Sequence, residues 1–301
     1  MTAEGVPTVL FAFVTWFFLP DSPGTARYLT DEEKTHAVER LQVRDRTKKS
    51  HVKWSQVLAG MSDYQNYVHT AIHFSCNYSF AGLSNFLPTL VSEMGYSSID
   101  AQGLTAPVYF VAFLFCIVAA YTSDRYGKRG YIVSGFAVVG MIGYLLLVLI
   151  QDEHNTGSRY AGVWLAACGV YPALCMNITW LLNNQGGDSK KGAGLAILAT
   201  LGQCSSFASS AVFPDTDAYA KLPPSMWKVE LTKPLDRPFY TTGCAIGCAF
   251  TGAIAFLALG LHFALEKENK RRDREYGAPD RNESVDVTEE GDRHRSFRYL
   301  T

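Results

Sequence analysis

The sequence predicts an all-α membrane protein of six spans, preceded by the end of one further helix. Two charge-free runs, 104–122 and 131–150, frame the island Ser123-Asp124-Arg125-Tyr126-Gly127-Lys128-Arg129-Gly130. A helix rising ~1.5 Å per residue needs about 20 mostly apolar residues to cross hydrocarbon, and a soluble core helix rarely runs that long without a charge. The island therefore reads as a turn between two membrane helices. Bulk averages hide this pattern. Mean hydropathy is only +0.02 and net charge −1, because nearly charge-free apolar blocks alternate with polar blocks that hold almost all the charge.

The first element, an apolar stretch from about Val6 to Leu19, is short for a span and has Glu4 and Pro7 at its start. It lacks the basic start and small-residue cleavage site of a signal peptide and reads as a helix without its beginning. Residues 20–62 are polar, and Pro20-Asp21-Ser22-Pro23-Gly24 opens them as a turn. Thr30-Asp31-Glu32-Glu33 forms a capping box that starts an amphipathic helix through about Leu41. Trp54, Val57, Leu58 and Met61 lie at helical spacing and predict a surface helix leading into the bilayer.

Spans follow at about 64–90, 104–122, 131–150, 160–182, 194–213 and 240–264. Membrane helices tolerate prolines such as Pro88, Pro107 and Pro172 when neighbours satisfy the freed carbonyls. Gly243-Cys244-Ala245-Ile246-Gly247 is a GxxxG pattern, expected to serve close packing within the chain. The seven cysteines all fall in apolar runs and none forms a CxxC pair, so they are expected to be small buried residues.

Lys and Arg counts set the orientation. Segments 20–62, 123–130, 183–193 and 265–301 hold 8, 3, 2 and 9 of them, whereas the alternate loops 91–103, 151–159 and 214–239 hold 0, 1 and 4. The positive-inside bias places the first set in the cytoplasm. Sequons at Asn77 and Asn177 then fall in the membrane and that at Asn282 in the cytoplasm, so all three read as chance matches. The charge-rich stretch 266–301 reads as a disordered cytoplasmic tail.

No enzyme signature is present: the chain has no GxGxxG, P-loop, GxSxG or HExxH, so no catalytic residue, cofactor or metal is expected, and no nucleic-acid partner. His69 and His73 are four apart on one helix face, but a metal would need a third ligand and the neighbouring spans offer no acid. Two readings of them stay open: helix packing, or contact with an anionic substrate and proton transfer.

Asp124-Arg125-x-Gly127-Lys128-Arg129 between two spans closely resembles the D-R-x-G-[KR]-R loop of the major facilitator superfamily. Leu19-Pro20-Asp21-Ser22-Pro23 with Ala26 to Glu33 resembles the exit from helix 6 into the central loop of the fungal allantoate permease (anion:cation symporter) family. Phe86-Leu87-Pro88-Thr89-Leu90 is similar to the end of that family's helix 7. Asn177-Ile178-Thr179-Trp180-Leu181-Leu182-Asn183-Asn184, followed by Lys190-Lys191, is similar to its helix 10 end and 10–11 loop. Departing from this pattern, Leu222 to Glu230 looks inserted before helix 12, and it reads equally as an external lid or as translated intron.

The resemblance implies the carboxyl-terminal six-helix half of a twelve-helix major facilitator fold. Residues 1–19 would be the end of helix 6, 20–62 the central cytoplasmic loop, 63–265 helices 7–12 and 266–301 the tail. An amino-terminal half with helices 1–5 is then missing, and truncation is the favoured reading. Asp124, Arg125, Gly127, Lys128 and Arg129 become gating and topology residues of the 8–9 loop.

The implied function is symport of a proton with a small organic anion, such as allantoate, a ureide, nicotinate, pantothenate or a similar vitamin, across the plasma membrane. The spans carry no Asp, Glu, Lys or Arg at membrane depth. This half would therefore offer uncharged substrate contacts: Asn77, Tyr78, Asn85, Tyr109, Asn177, Trp180 and Gln203. The alternative is a non-transporting half-transporter acting as a membrane sensor or assembly subunit.

Overall fold

The computed structural model describes residues 2–20, 23–26, 28–44, 52–92, 97–151, 155–212, 241–277 and 291–301. They form nine α-helices and no strand among the described residues: α1 Thr2–Phe18, α2 Asp31–Arg44, α3 Trp54–Met61, α4 Tyr64–Ser92, α5 Ser98–Tyr126, α6 Arg129–Leu149, α7 Thr156–Asn184, α8 Asp188–Val212 and α9 Thr241–Tyr276. Residues 1–52 and 53–301 are separate compact units. The segment 214–239, Asn282 and the 222–230 insertion lie outside the described residues.

In the first unit the capping box closes as the sequence predicts. The Thr30 amide donates to the Glu33 carboxylate at 2.9 Å, and the Glu33 amide donates to Thr30 Oγ1 at 3.4 Å. Each bond satisfies a main-chain donor that a helix start leaves without an intrahelical partner.

The second unit is a six-helix bundle, α4–α9, with α3 against α8. Among the described residues four helices contain windows long and apolar enough to cross a membrane: α5, α6, α7 and α9. Within their described residues the six runs expected as spans are helical. Of the helices outside that set, α4 carries buried polar residues on the face it shares with α8. A Cβ on Gly194 would meet the Asn66 amide, one on Gly202 would overlap His73, and Asn77 Nδ2 donates to the Gly202 carbonyl at 3.3 Å. Polar groups buried between helices lower hydropathy without opposing a span, because they are satisfied inside the bundle.

The α6–α7 crossing is closer still. A Cβ on Gly143 would overlap the Ala166 backbone, and one on Gly169 would overlap the Gly140 backbone. Without side chains at these points the two backbones touch. The GxxxG pattern on α9 also works within the chain: Tyr78 Oη donates to the Gly243 carbonyl at 3.5 Å, and Gly247 lies against the Tyr144 ring.

Two apolar clusters fill the bundle. One gathers Tyr78, Leu87, Val108, Tyr144 and Val170; the other gathers Ile72, Val133, Trp180, Ile254 and Leu265.

Two sequence expectations need correction. Cys175 and Cys204 are exposed on the helix surface, whereas Cys76, Cys168 and Cys244 are buried. The stretch after 265 is not wholly a disordered tail: α9 continues to Tyr276, and residues 291–301 dock on the bundle. Docking uses side-chain amides in place of a neighbouring strand. Asn184 accepts from the Leu300 amide at 2.8 Å and donates to the Leu300 carbonyl at 2.9 Å; Asn269 does the same for Tyr299 at 2.9 and 2.8 Å.

Candidate functional site

The turn that opened the sequence argument has a specific backbone cause. Gly127 closes α5 at φ +66°, donating its amide to the Ser123 carbonyl at 2.9 Å. That left-handed cap suits glycine because it has no Cβ to clash. The tight turn delivers Arg129 to the first position of α6, where the side chain is buried. Its guanidinium donates to the Thr179 carbonyl of α7 at 2.9 Å and to the Asp124 carboxylate at 3.3 Å. Arg129 therefore ties the 123–130 turn to α7. Arg125 and Lys128 are exposed, with Lys128 Nζ 5.9 Å from the Tyr131 ring centroid.

Of the residues read as substrate contacts, two, Asn177 and Trp180, come together with His69 near one end of the bundle. His69 Nδ1 lies 2.8 Å from Asn177 Oδ1, and Asn177 Nδ2 donates to the His69 carbonyl at 3.0 Å. The second bond identifies the amide nitrogen, which leaves Oδ1 as acceptor, so His69 carries its proton on Nδ1 and a lone pair on Nε2. Trp180 stands edge-on to His69 at 5.0 Å and donates its indole N–H to the Leu300 carbonyl at 2.7 Å. All three are fully buried. His73, one turn along α4, is buried against Gly202. Asn77 and Tyr78 are spent on main-chain carbonyls of α8 and α9.

The remaining candidates are distributed differently. Tyr109 lies midway along α5, half-buried, with its ring 5.9 Å from that of Tyr171, which is midway along α7. Gln203 is exposed on α8. The side chain of Asn85 lies outside the described residues.

The structure adds residues that sequence reasoning missed. Tyr171 stacks edge-on with Phe80 at 5.2 Å, and its hydroxyl lies 3.0 Å from Ser84 Oγ. Phe80, Ser84, Tyr109 and Tyr171 form one half-exposed group at mid-helix depth, about 13 Å along α7 from Trp180 at ~1.5 Å per residue. The signal available in the sequence was position: each of these residues lies near the centre of its apolar run.

At the end where α4 begins, a cleft of about 460 Å³ is lined by Asp63, Gln65, Lys190, Glu268, Asp292 and Tyr299 among others. Buried Lys190 bridges two carboxylates, Asp63 at 2.6 Å and Asp292 at 2.7 Å. Arg272 donates to the Asp292 carbonyl at 2.7 Å, and burial pushes the neighbouring Tyr299 phenol above its ordinary pKa. Among the described residues no group of three or more His, Cys, Asp or Glu could hold a metal ion.

A helical bundle with a Gly-turned charged loop, close small-residue crossings and buried uncharged polar seams is the architecture of a multi-pass membrane protein. The major facilitator superfamily family model matches residues 2–211, and the chain belongs to that superfamily. It is 28% identical over 269 residues to an uncharacterized transporter of Schizosaccharomyces pombe, covering 89% of this chain and 51% of the relative. It is 27% identical over 277 residues to a major facilitator-type transporter of Emericella nidulans, covering 91% and 52%. It is also 27% identical over 258 residues to the high-affinity nicotinic acid transporter of Saccharomyces cerevisiae, covering 86% and 42%. The chain spans about half the length of the curated relatives it matches. It is a multi-pass integral membrane protein of a transporter family, not an enzyme.

Proposed function

We propose that α4–α9 are helices 7–12 of a proton-coupled symporter for a small organic anion, of the allantoate permease type, working against a second six-helix half. In this reading residues 20–62 and 266–301 face the cytoplasm, the plasma membrane is the location, and Asp124, Arg125 and Arg129 belong to the gating loop.

One observation carries the substrate reading: the half-exposed group Phe80, Ser84, Tyr109 and Tyr171 at mid-helix depth. Its aromatic faces and hydroxyl donors suit a compact, ring-bearing carboxylate, and transporters of this kind bind substrate near the midplane between halves. The relative named for nicotinic acid supports the same class. Gln203 and Asn85 are offered as further contacts, whereas Asn77, Tyr78, Asn177 and Trp180 are assigned to holding helices together.

The test is concentration-dependent uptake of radiolabelled nicotinate and its competitors by the whole transporter carrying these helices. Tyr171→Phe keeps the ring and removes one hydroxyl, worth about 1 kcal/mol, so KM should rise about fivefold with kcat retained. An unchanged KM for every transported anion would remove Tyr171 from the site.

A further inference from the structure

Four polar residues of α4, Gln65, His69, His73 and Asn77, follow one another at intervals of four, each lying over the one before in a stripe that winds about 120° round the helix. All four are buried. At ~1.5 Å per residue the column is about 18 Å long. It starts at the cleft, where Gln65 is a lining residue, and ends at mid-helix, where Asn77 bonds the Gly202 carbonyl beside Gln203. Between those points, Gln65 Oε1, His69 Nε2 and His73 Nδ1 have no hydrogen-bond partner. Buried polar atoms are almost always satisfied, and where protein offers no partner ordered water does so.

We propose that this stripe of α4 is a hydrated proton path connecting the acidic cleft at the α4 end to the middle of the bundle. The inference rests on the symport reading above and specifies where its proton travels. The cleft supplies the entrance, where Gln65 meets solvent beside the Lys190 pairs with Asp63 and Asp292.

His69 is the first relay. A proton accepted at Nε2 gives an imidazolium whose Nδ1–H stays on Asn177 Oδ1, and the proton leaves from Nε2 to the next water. His73, one turn deeper, receives it at Nδ1. The neighbours leave both rings free for this role. Asn177 and Trp180 of α7, uncharged, meet His69, and Gly202 of α8 meets His73. The nearest acid to His69 is Asp63, already bound to Lys190 of α8, and beyond it lie Asp292 and Tyr299 of the docked segment and Glu268 of α9. Among the described residues no charged side chain is hydrogen-bonded to either imidazole.

Hydroxyl-radical footprinting of the detergent-solubilised full chain in ¹⁸O-water tests this, because radicals formed in bound water oxidise the side chains beside it. His69 and His73 should take up ¹⁸O faster than Cys76, which is fully buried on the same helix and intrinsically more reactive. Gln65→Leu should lower both histidine signals severalfold. Histidines labelled no faster than Cys76, or a Gln65→Leu chain labelled like wild type, would overturn the path. Uptake that ignores the proton gradient while both histidines label would instead remove the symport reading and leave the hydrated column standing. Proton-driven uptake with unlabelled histidines would remove the path alone.

Discussion

Asn177 shows how a residue type can be legible and its role not. An Asn in an apolar run signals a polar contact inside the membrane, and the sequence offers substrate and neighbouring helix as equal partners. The structure assigns it to His69, with both amide groups used between α4 and α7. Asn177→Leu should strand the His69 Nδ1–H at a cost of about 1–3 kcal/mol and lower the unfolding midpoint in detergent. Adding His69→Phe should recover part of the loss, since the two side chains act as a pair. Additive losses in the double variant would contradict the assignment. Gly127 is the opposite case: its place in the Asp-Arg-x-Gly order is visible in the sequence, and the φ of +66° supplies the physical reason.

Among the elements, those written in long apolar periodicity or cap chemistry were readable, and those written in mutual contact were not. The capping box at Thr30 and Glu33, the surface helix at Trp54–Met61 and the runs of α5, α6, α7 and α9 all follow from local patterns. The polar seam between α4 and α8 does not, because its residues count against a span until the facing helix is known. Nor does docking of 291–301, where a charge-rich stretch finds Lys190, Asn184 and Asn269 waiting more than twenty residues away in sequence.

The α6–α7 crossing was likewise hidden, since glycines spaced along two runs do not say which runs meet. Gly143→Val should force the α6 and α7 backbones apart and cost about 1–3 kcal/mol or more, read as a lowered thermal midpoint. Gly135→Ala, with open space around it, is the control and should leave the midpoint unchanged or raised. Equal effects at the two positions would contradict the close crossing.

Across the whole molecule, the bundle separates two kinds of buried polarity. At mid-depth, Tyr109 and Tyr171 are half-buried, with their rings 5.9 Å apart and the Tyr171 hydroxyl 3.0 Å from Ser84 Oγ, the group proposed above to meet substrate. At the α4 end, His69, Lys190, Asp63 and Asp292 are held in fixed pairs and lead into the α4 column. That division suits a symporter, in which substrate is met at the centre and protons are exchanged from one side. The most direct test is uptake of a radiolabelled small carboxylate such as nicotinate, by vesicles carrying the whole transporter, with and without an imposed proton gradient. The account predicts accumulation above the external concentration when protons flow in with the anion, and loss of that accumulation when a protonophore collapses the gradient. Equal uptake under both conditions would contradict it.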